Sequence, residues 1–98
     1  MGKRFRRLVP EHLDDEARRK WAELCPVLER RGDMDQGTAD ALAAYATAWS
    51  RWVAAEKKVA ELGPVIKSAQ GFAQENPYLT IARKSQIAMR QWLDKLKG

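Results

Sequence analysis

The chain contains only one cysteine and one histidine, Cys25 and His12, among its 98 residues. A single cysteine cannot form an intrachain disulfide, and we expect Cys25 to be a small apolar core residue in a reducing compartment. A single histidine excludes a zinc site built from several histidines, and any nucleophile–histidine site would depend on His12 alone. We expect His12 to be exposed ahead of the first helix.

Glycine-rich phosphate loops are missing as well, since neither of the common nucleotide-binding glycine patterns occurs in the sequence. Together with the scarcity of histidine and cysteine, this predicts a protein that is not an enzyme and that uses no cofactor and no metal. An enzyme would need a pocket around His12 or Glu56, and that is the least favoured reading.

Long apolar runs do not occur either. No stretch approaches the roughly 20 apolar residues that a membrane span needs. The N-terminus, MGKRFRRLVP, is basic but lacks the apolar segment of a signal peptide. We therefore expect a cytoplasmic protein with no membrane partner.

The charge is +5 overall and is unevenly distributed. Residues 1–10 contain four basic residues and no acidic one: Lys3, Arg4, Arg6 and Arg7. Residues 11–63 contain eight basic and eleven acidic residues, and residues 64–98 contain six basic and two acidic ones. Two positive ends favour contact with a polyanion, although basic ends can also serve solubility alone.

The apolar pattern predicts a first helix that begins after Asp14, which is a suitable N-cap, and ends at Gly32. One face of this helix carries four apolar residues at helical spacing, namely Ala17, Trp21, Leu24 and Leu28. Pro26 lies inside the pattern, so we expect it to kink the helix or to split it near Leu24.

A long central helix is predicted next. Asp35 or Thr38 can cap its N-terminus, and Gly63–Pro64 ends it. About 25 residues at 1.5 Å each give a rod of roughly 38 Å.

A short β-hairpin at about 64–75 is predicted to follow, because β-branched residues precede a turn at Gly71. Asn76 is the expected N-cap of the last helix, with Pro77 at its first position. The predicted fold is mainly α, with a helical hairpin core, a long central helix, a short β-hairpin and a C-terminal helix. We expect a basic flexible arm over 1–10 and a single helical oligomerisation and DNA-recognition domain over 11–98.

The central helix is unusually apolar around its circumference. Its core line is expected to contain Leu42, Ala46, Trp49, Val53 and Ala60. A second line of Tyr45, Trp52 and Val59, continued by Ala41, Ala48 and Ala55, widens the apolar arc to about 200°, against roughly 100° or more for an ordinary surface helix.

This excess of apolar surface predicts a subunit interface that contains Tyr45, Trp49, Trp52 and Val59. Trp49 could instead be purely intrachain core, and a well-wrapped monomer is the alternative to an interface. Glu56 falls inside the arc, where it is either paired with a basic residue or marks the edge of an interface.

The last helix has an expected core line of Tyr78, Ile81, Ser85, Ala88, Trp92 and Leu96. Arg83, Arg90 and Lys97 recur every seven residues on a separate line, about 10.5 Å apart. Such a row can follow DNA phosphates, and a solvated charged face is the alternative. The arm is the stronger candidate, since Lys3, Arg4, Arg6 and Arg7 surround Phe5 as in arms that lie along a DNA groove.

Three features in this order resemble the small terminase subunits of tailed bacteriophages, specifically the P27-like group. The first is an acidic-capped helix with the order W…L.P.L, at Trp21, Leu24, Pro26 and Leu28. The second is the run D…AL..Y...W..W from Asp40 to Trp52, and the third is Asn76–Pro77 followed by Ala82. The resemblance covers about residues 8–96.

The resemblance implies a non-catalytic subunit that forms a homo-oligomeric ring. It further implies that the ring recognises the packaging-initiation site on double-stranded viral DNA in the host cytoplasm. The ring would present that site to a large terminase subunit that carries the ATPase and nuclease. The competing hypothesis is a helical protein–protein interaction adaptor without DNA binding.

Overall fold

The structure is a computed structural model that describes residues 9–97. In this range, three helices and one two-stranded antiparallel sheet follow each other as α1 (Asp15–Arg30), α2 (Gln36–Leu62), β1 (Val65–Lys67), β2 (Ala73–Glu75) and α3 (Pro77–Leu96). The fold predicted from the sequence, mainly helical with a hairpin and a C-terminal helix, is confirmed. The molecule is elongated, measuring 58 × 23 × 16 Å.

Helix α1 begins where the sequence predicted, because the Asp14 carboxylate accepts a hydrogen bond from the backbone N–H of Ala17 at 2.9 Å. Of the two alternatives predicted for Pro26, a kink or a split, the split is excluded, since α1 continues through it to Arg30. Pro26 lacks the N–H that would bond the carbonyl of Ala22. Ala22 is exposed, so water can take over that bond.

Helix α2 is capped by Asp35, whose carboxylate accepts from the backbone N–H of Thr38 at 2.8 Å. Gly63 ends it with a φ of 83°, a left-handed conformation that glycine adopts without a steric penalty. Its N–H donates to the carbonyl of Val59 at 2.7 Å, as in a helix C-cap.

The hairpin pairs Val65 with Glu75 and Lys67 with Ala73. Its turn is closed by the Gly71 N–H, which donates to the Ser68 carbonyl at 2.9 Å, and Gly71 itself has a φ of 87°. Most residues of both strands are exposed.

Asn76 connects three elements and is completely buried. Its side-chain oxygen accepts from the N–H of Tyr78 at 2.9 Å, and so caps α3. Its side-chain amide donates to the carbonyl of Gly63 at 2.8 Å, and its backbone N–H donates to the carbonyl of Pro64 at 2.8 Å. One residue therefore fixes the end of α2, the base of the hairpin and the start of α3.

Helices α1 and α3 pack on different faces of α2. On the α1 face, the core contains Trp21, Cys25 and Leu28 against Leu42 and Ala46, all less than 5% exposed. On the α3 face, the line of Ala41, Ala48 and Ala55 is buried at 7%, 6% and 1% exposure.

The wide apolar arc of α2 is thus largely covered within one chain. The expectation that the alanine line would extend an exposed stripe is wrong, because α3 lies over it. Alanines let two helices approach closely, and α3 contributes equally small residues there, Ala82 and Ser85, which are buried.

Helix α1 covers only the first half of α2, since its N-terminus reaches Ser50. After Ser50, α2 packs mainly on α3. Two residues predicted for the core line of α2 lie beyond this point and are less buried than expected, Val53 being half-buried and Ala60 exposed. Ile81 of α3 is also 43% exposed, because α3 turns Ala82 rather than Ile81 towards α2.

Candidate nucleic-acid interface

The basic row of α3 consists of Arg83, Arg90 and Lys97, and all three residues are exposed. No ion pair engages any of them within the described part of the chain. The carbonyl of Lys97 accepts a hydrogen bond from the guanidinium of Arg31 at 3.1 Å, and that guanidinium also forms an ion pair with Asp33 at 2.9 Å. The row can therefore contact several phosphates at once.

The basic arm, with Lys3, Arg4, Arg6 and Arg7, lies outside the described residues, and its role stays a prediction. The residues that follow the arm pack against the helices. Leu13 is buried at 4% exposure, and its N–H donates to the carbonyl of Pro10 at 3.2 Å. His12 is exposed ahead of α1, as predicted.

Two further exposed cations, Arg51 of α2 and Lys84 of α3, lie beside one shallow trough between these helices. The sequence pattern did not bring Arg51 and Lys84 together. Their proximity depends on the register of α2 against α3, which no local sequence signal gives.

The four predicted interface residues, Tyr45, Trp49, Trp52 and Val59, are all half-buried in the single chain. Trp49 is engaged with α1: its indole N–H donates to the Glu16 carboxylate at 3.0 Å, and the Lys20 ammonium lies 3.8 Å from the centre of its ring. The ring of Trp52 lies 5.4 Å from that of Trp49. Trp49 is therefore part of the packing within the chain, and an interface role for the four residues stays a prediction.

The most exposed large apolar side chains lie at the hairpin end of the molecule, and sequence reasoning missed them as a group. Phe72 is 73% exposed, Val65 60% and Leu62 53%. By the strand register, Val65 and Phe72 lie on opposite faces of the hairpin, and Leu62 lies at the end of α2. These three residues are together called the hairpin patch below. The signal was present in the strand pattern, since an isolated two-stranded hairpin cannot bury both of its faces.

The groups with shifted pKa values are structural. Hydrogen bonds from Ser50 and then from the N–H of Ala17 lower the pKa of Asp14, and those from the N–H and side chain of Thr38 lower the pKa of Asp35. Both carboxylates are helix caps. In the described range 9–97, no three His, Cys, Asp or Glu side chains are arranged to hold a metal ion. None of the helices there is long and apolar enough to cross a membrane.

The family model for the small subunit of phage terminase matches residues 17–97. The match includes most of α1 and all of α2, the hairpin and α3. The chain belongs to the phage terminase small-subunit family. No curated protein and no solved structure shows a significant match to it, and membership of the P27-like group stays a prediction.

Family membership assigns the chain a role in phage DNA packaging. Small subunits of terminases are generally non-catalytic, and the larger catalytic subunit and the viral DNA are the partners that the family suggests. The basic row on α3 and the hairpin patch both lie within the matched residues.

Proposed function

We propose that this chain is a non-catalytic terminase small subunit that assembles with copies of itself and binds viral duplex DNA at the packaging-initiation site. Bound there, in the host cytoplasm, it regulates the ATPase and nuclease of the large subunit. The observation that carries the proposal is the row of Arg83, Arg90 and Lys97, exposed and without ion pairs in the described range, inside the residues that match the family.

Assembly is supported by the hairpin patch. A two-stranded hairpin is only marginally stable in water unless another surface covers it. The neighbouring helices leave Leu62, Val65 and Phe72 more than half exposed. A second copy of the chain is the partner we assign to this patch, and Tyr45, Trp52 and Val59 remain candidates for the rest of the interface.

Several copies of the basic row in one assembly raise its affinity for DNA. Each copy contributes one row of three cations, and several copies held together bind one duplex with an affinity well above that of a single copy. Such binding is mainly electrostatic, so it positions the DNA and weakens steeply with salt.

The test is DNA binding as a function of salt concentration. For Arg83→Gln/Arg90→Gln we expect weaker binding, and a slope of log Kobs against log salt that is smaller by about 1.8 for each contacting subunit, since each lost phosphate contact removes about 0.9. The control is Lys57→Gln/Lys67→Gln, which removes the same charge from two exposed positions off the row. We expect the control to retain the wild-type slope.

Equal slopes for the two double variants would contradict the assignment of the row. Failure of the wild type to bind duplex DNA at low salt would contradict the proposed function. A folded monomer without DNA binding would favour the adaptor hypothesis, with the hairpin patch as the surface for a foreign protein.

A further inference from the structure

The trough between α2 and α3 has a floor of small side chains. Ala48 of α2 and Ser85 and Ala88 of α3 line its central part, and Ala44 continues it along α2. Because none of these side chains is long, the two helices leave an open depression on one flank of α3. A charged group of the size of a phosphate can lie in it without moving the backbone.

The two walls of the trough each carry one cation. Arg51 stands on the α2 side and Lys84 on the α3 side, and both are exposed. Neither forms an ion pair with any described residue. A guanidinium and an ammonium on opposite walls suit a phosphate, since arginine can bind two of its oxygens while lysine supplies a point charge.

The acidic residue of the trough, Asp40, lies towards its other end. Asp40 is eleven positions before Arg51 on α2, or about 16 Å along the helix axis. Its carboxylate accepts from the Gln36 side-chain amide at 2.9 Å, and Lys95 lines the adjacent surface with it. Asp40 forms no ion pair with Arg51 or Lys84 among the described residues, so it does not neutralise either cation directly.

The N-terminal segment reaches the same trough. Pro10 and His12, which follow the basic arm in the sequence, line it.

We propose that the trough is a second contact for the DNA backbone, in which one phosphate is held between Arg51 and Lys84. The inference rests on the proposed function and extends it, because the trough is separate from the basic row. At 100° per residue, Lys84 and the row are about 120° apart around α3. The ligand is the phosphodiester backbone of duplex DNA, so the contact positions DNA without reading its sequence.

The test compares three double variants of the full chain: Arg51→Gln/Lys84→Gln for the trough, Arg83→Gln/Arg90→Gln for the row, and Lys57→Gln/Lys67→Gln as the control of equal charge. Because one phosphate contact is lost in each copy, we expect the trough variant to lower the salt slope of duplex DNA binding by about 0.9 for each contacting subunit relative to the control. Arg51 and Lys84 are exposed, so their replacement leaves the core intact, and circular dichroism verifies that the helix content is unchanged.

A second measurement places the contact. Backbone amide signals of Ala48, Ser85 and Ala88 should shift when a short duplex is added to the wild type, and these shifts should be lost in the trough variant. Inorganic phosphate at the same phosphate concentration is the parallel titration, and we expect it to cause much smaller shifts.

Three results would overturn the inference. A trough variant with the slope of the control would show that these cations do not contact DNA. Equal shifts with inorganic phosphate would make the trough a site for free anions. A wild type that binds no DNA would remove the proposed function and the trough contact together, whereas the first two results leave the proposed function intact.

Discussion

At the scale of single residues, Asp14 carries two structural contacts at once. Its carboxylate caps α1 through the N–H of Ala17, and it accepts the hydroxyl of Ser50 at 2.6 and 2.7 Å to its two oxygens. The second contact fixes the start of α1 against the middle of α2. Asp14 therefore determines how far along α2 the three-helix part of the molecule extends.

We predict that Asp14→Ala lowers the free energy of unfolding by about 2 kcal/mol at pH 7, about 1 from the lost cap and about 1 from the lost Ser50 hydrogen bond. The control is Asp15→Ala, which removes an adjacent exposed carboxylate without a cap, and it should cost less than half as much. Urea unfolding of both variants and the wild type measures the difference.

The same residue gives a pH dependence. Hydrogen bonds from Ser50 and Ala17 lower the folded-state pKa of Asp14 below its unfolded value of about 3.9. Its charge therefore stabilises the fold fully above the unfolded pKa, and this contribution is lost as the pH falls through the folded one. The difference in free energy of unfolding between wild type and Asp14→Ala should become smaller from pH 7 to about pH 3. A difference that stays constant would contradict the assignment of this stabilisation to the Asp14 carboxylate.

At the scale of elements, the central feature is the close packing of α3 on the alanine line of α2. We predict that Ala55→Leu, at a position only 1% exposed, forces the two helices apart and costs about 1–3 kcal/mol. Ala54→Leu is the matched control, because Ala54 is the exposed neighbour on the same helix. Thermal unfolding should show a lower midpoint for Ala55→Leu and almost none of this effect for Ala54→Leu.

If Ala55→Leu instead left the stability unchanged and altered the mass of the assembly, the alanine line would be a subunit interface after all. That result would support the prediction from the sequence that the wide apolar arc of α2 is a subunit interface.

The sequence predicted elements well where the signal is local. The caps Asp14, Asp35 and Asn76 each lie within three residues of the N–H groups they accept from. The sequence pattern alone therefore identified Asp14 and Asn76, and it left Asp35 and Thr38 as the two candidates for the cap of α2. The bond of Asn76 to Gly63 spans thirteen positions and depends on how the hairpin folds back, so it could not be predicted in this way.

The apolar arc of α2 shows what the sequence could not predict. A helical wheel gives the angular width of the apolar face but not which neighbour covers each part of it. Ala48 and Ile81 illustrate the result: the first is buried under α3 and the second, predicted as core, is exposed. The trough cations Arg51 and Lys84 were missed for the same reason, since their proximity depends on the pairing of two helices.

At the scale of the whole molecule, the two ends differ. The end that contains α1 is a three-helix core closed by Trp21, Leu42 and Leu96. The other end consists of two helices and the hairpin, where Phe72 and Val65 are the most exposed large apolar residues. A chain of 98 residues has little core to spare, so we expect this second end to be covered by another copy.

The native mass of the wild type and of Phe72→Ser at micromolar concentration tests this account most directly, with Ile87→Ser, a 51% exposed residue outside the hairpin, as the control. We predict a wild-type mass of several times 11.2 kDa. The Phe72→Ser assembly should dissociate at a protein concentration at least about tenfold higher than that at which the wild type and the control dissociate, because the loss of about 1.4 kcal/mol at each contact weakens association tenfold. A wild type that sediments as a well-folded 11.2 kDa protomer would contradict the account.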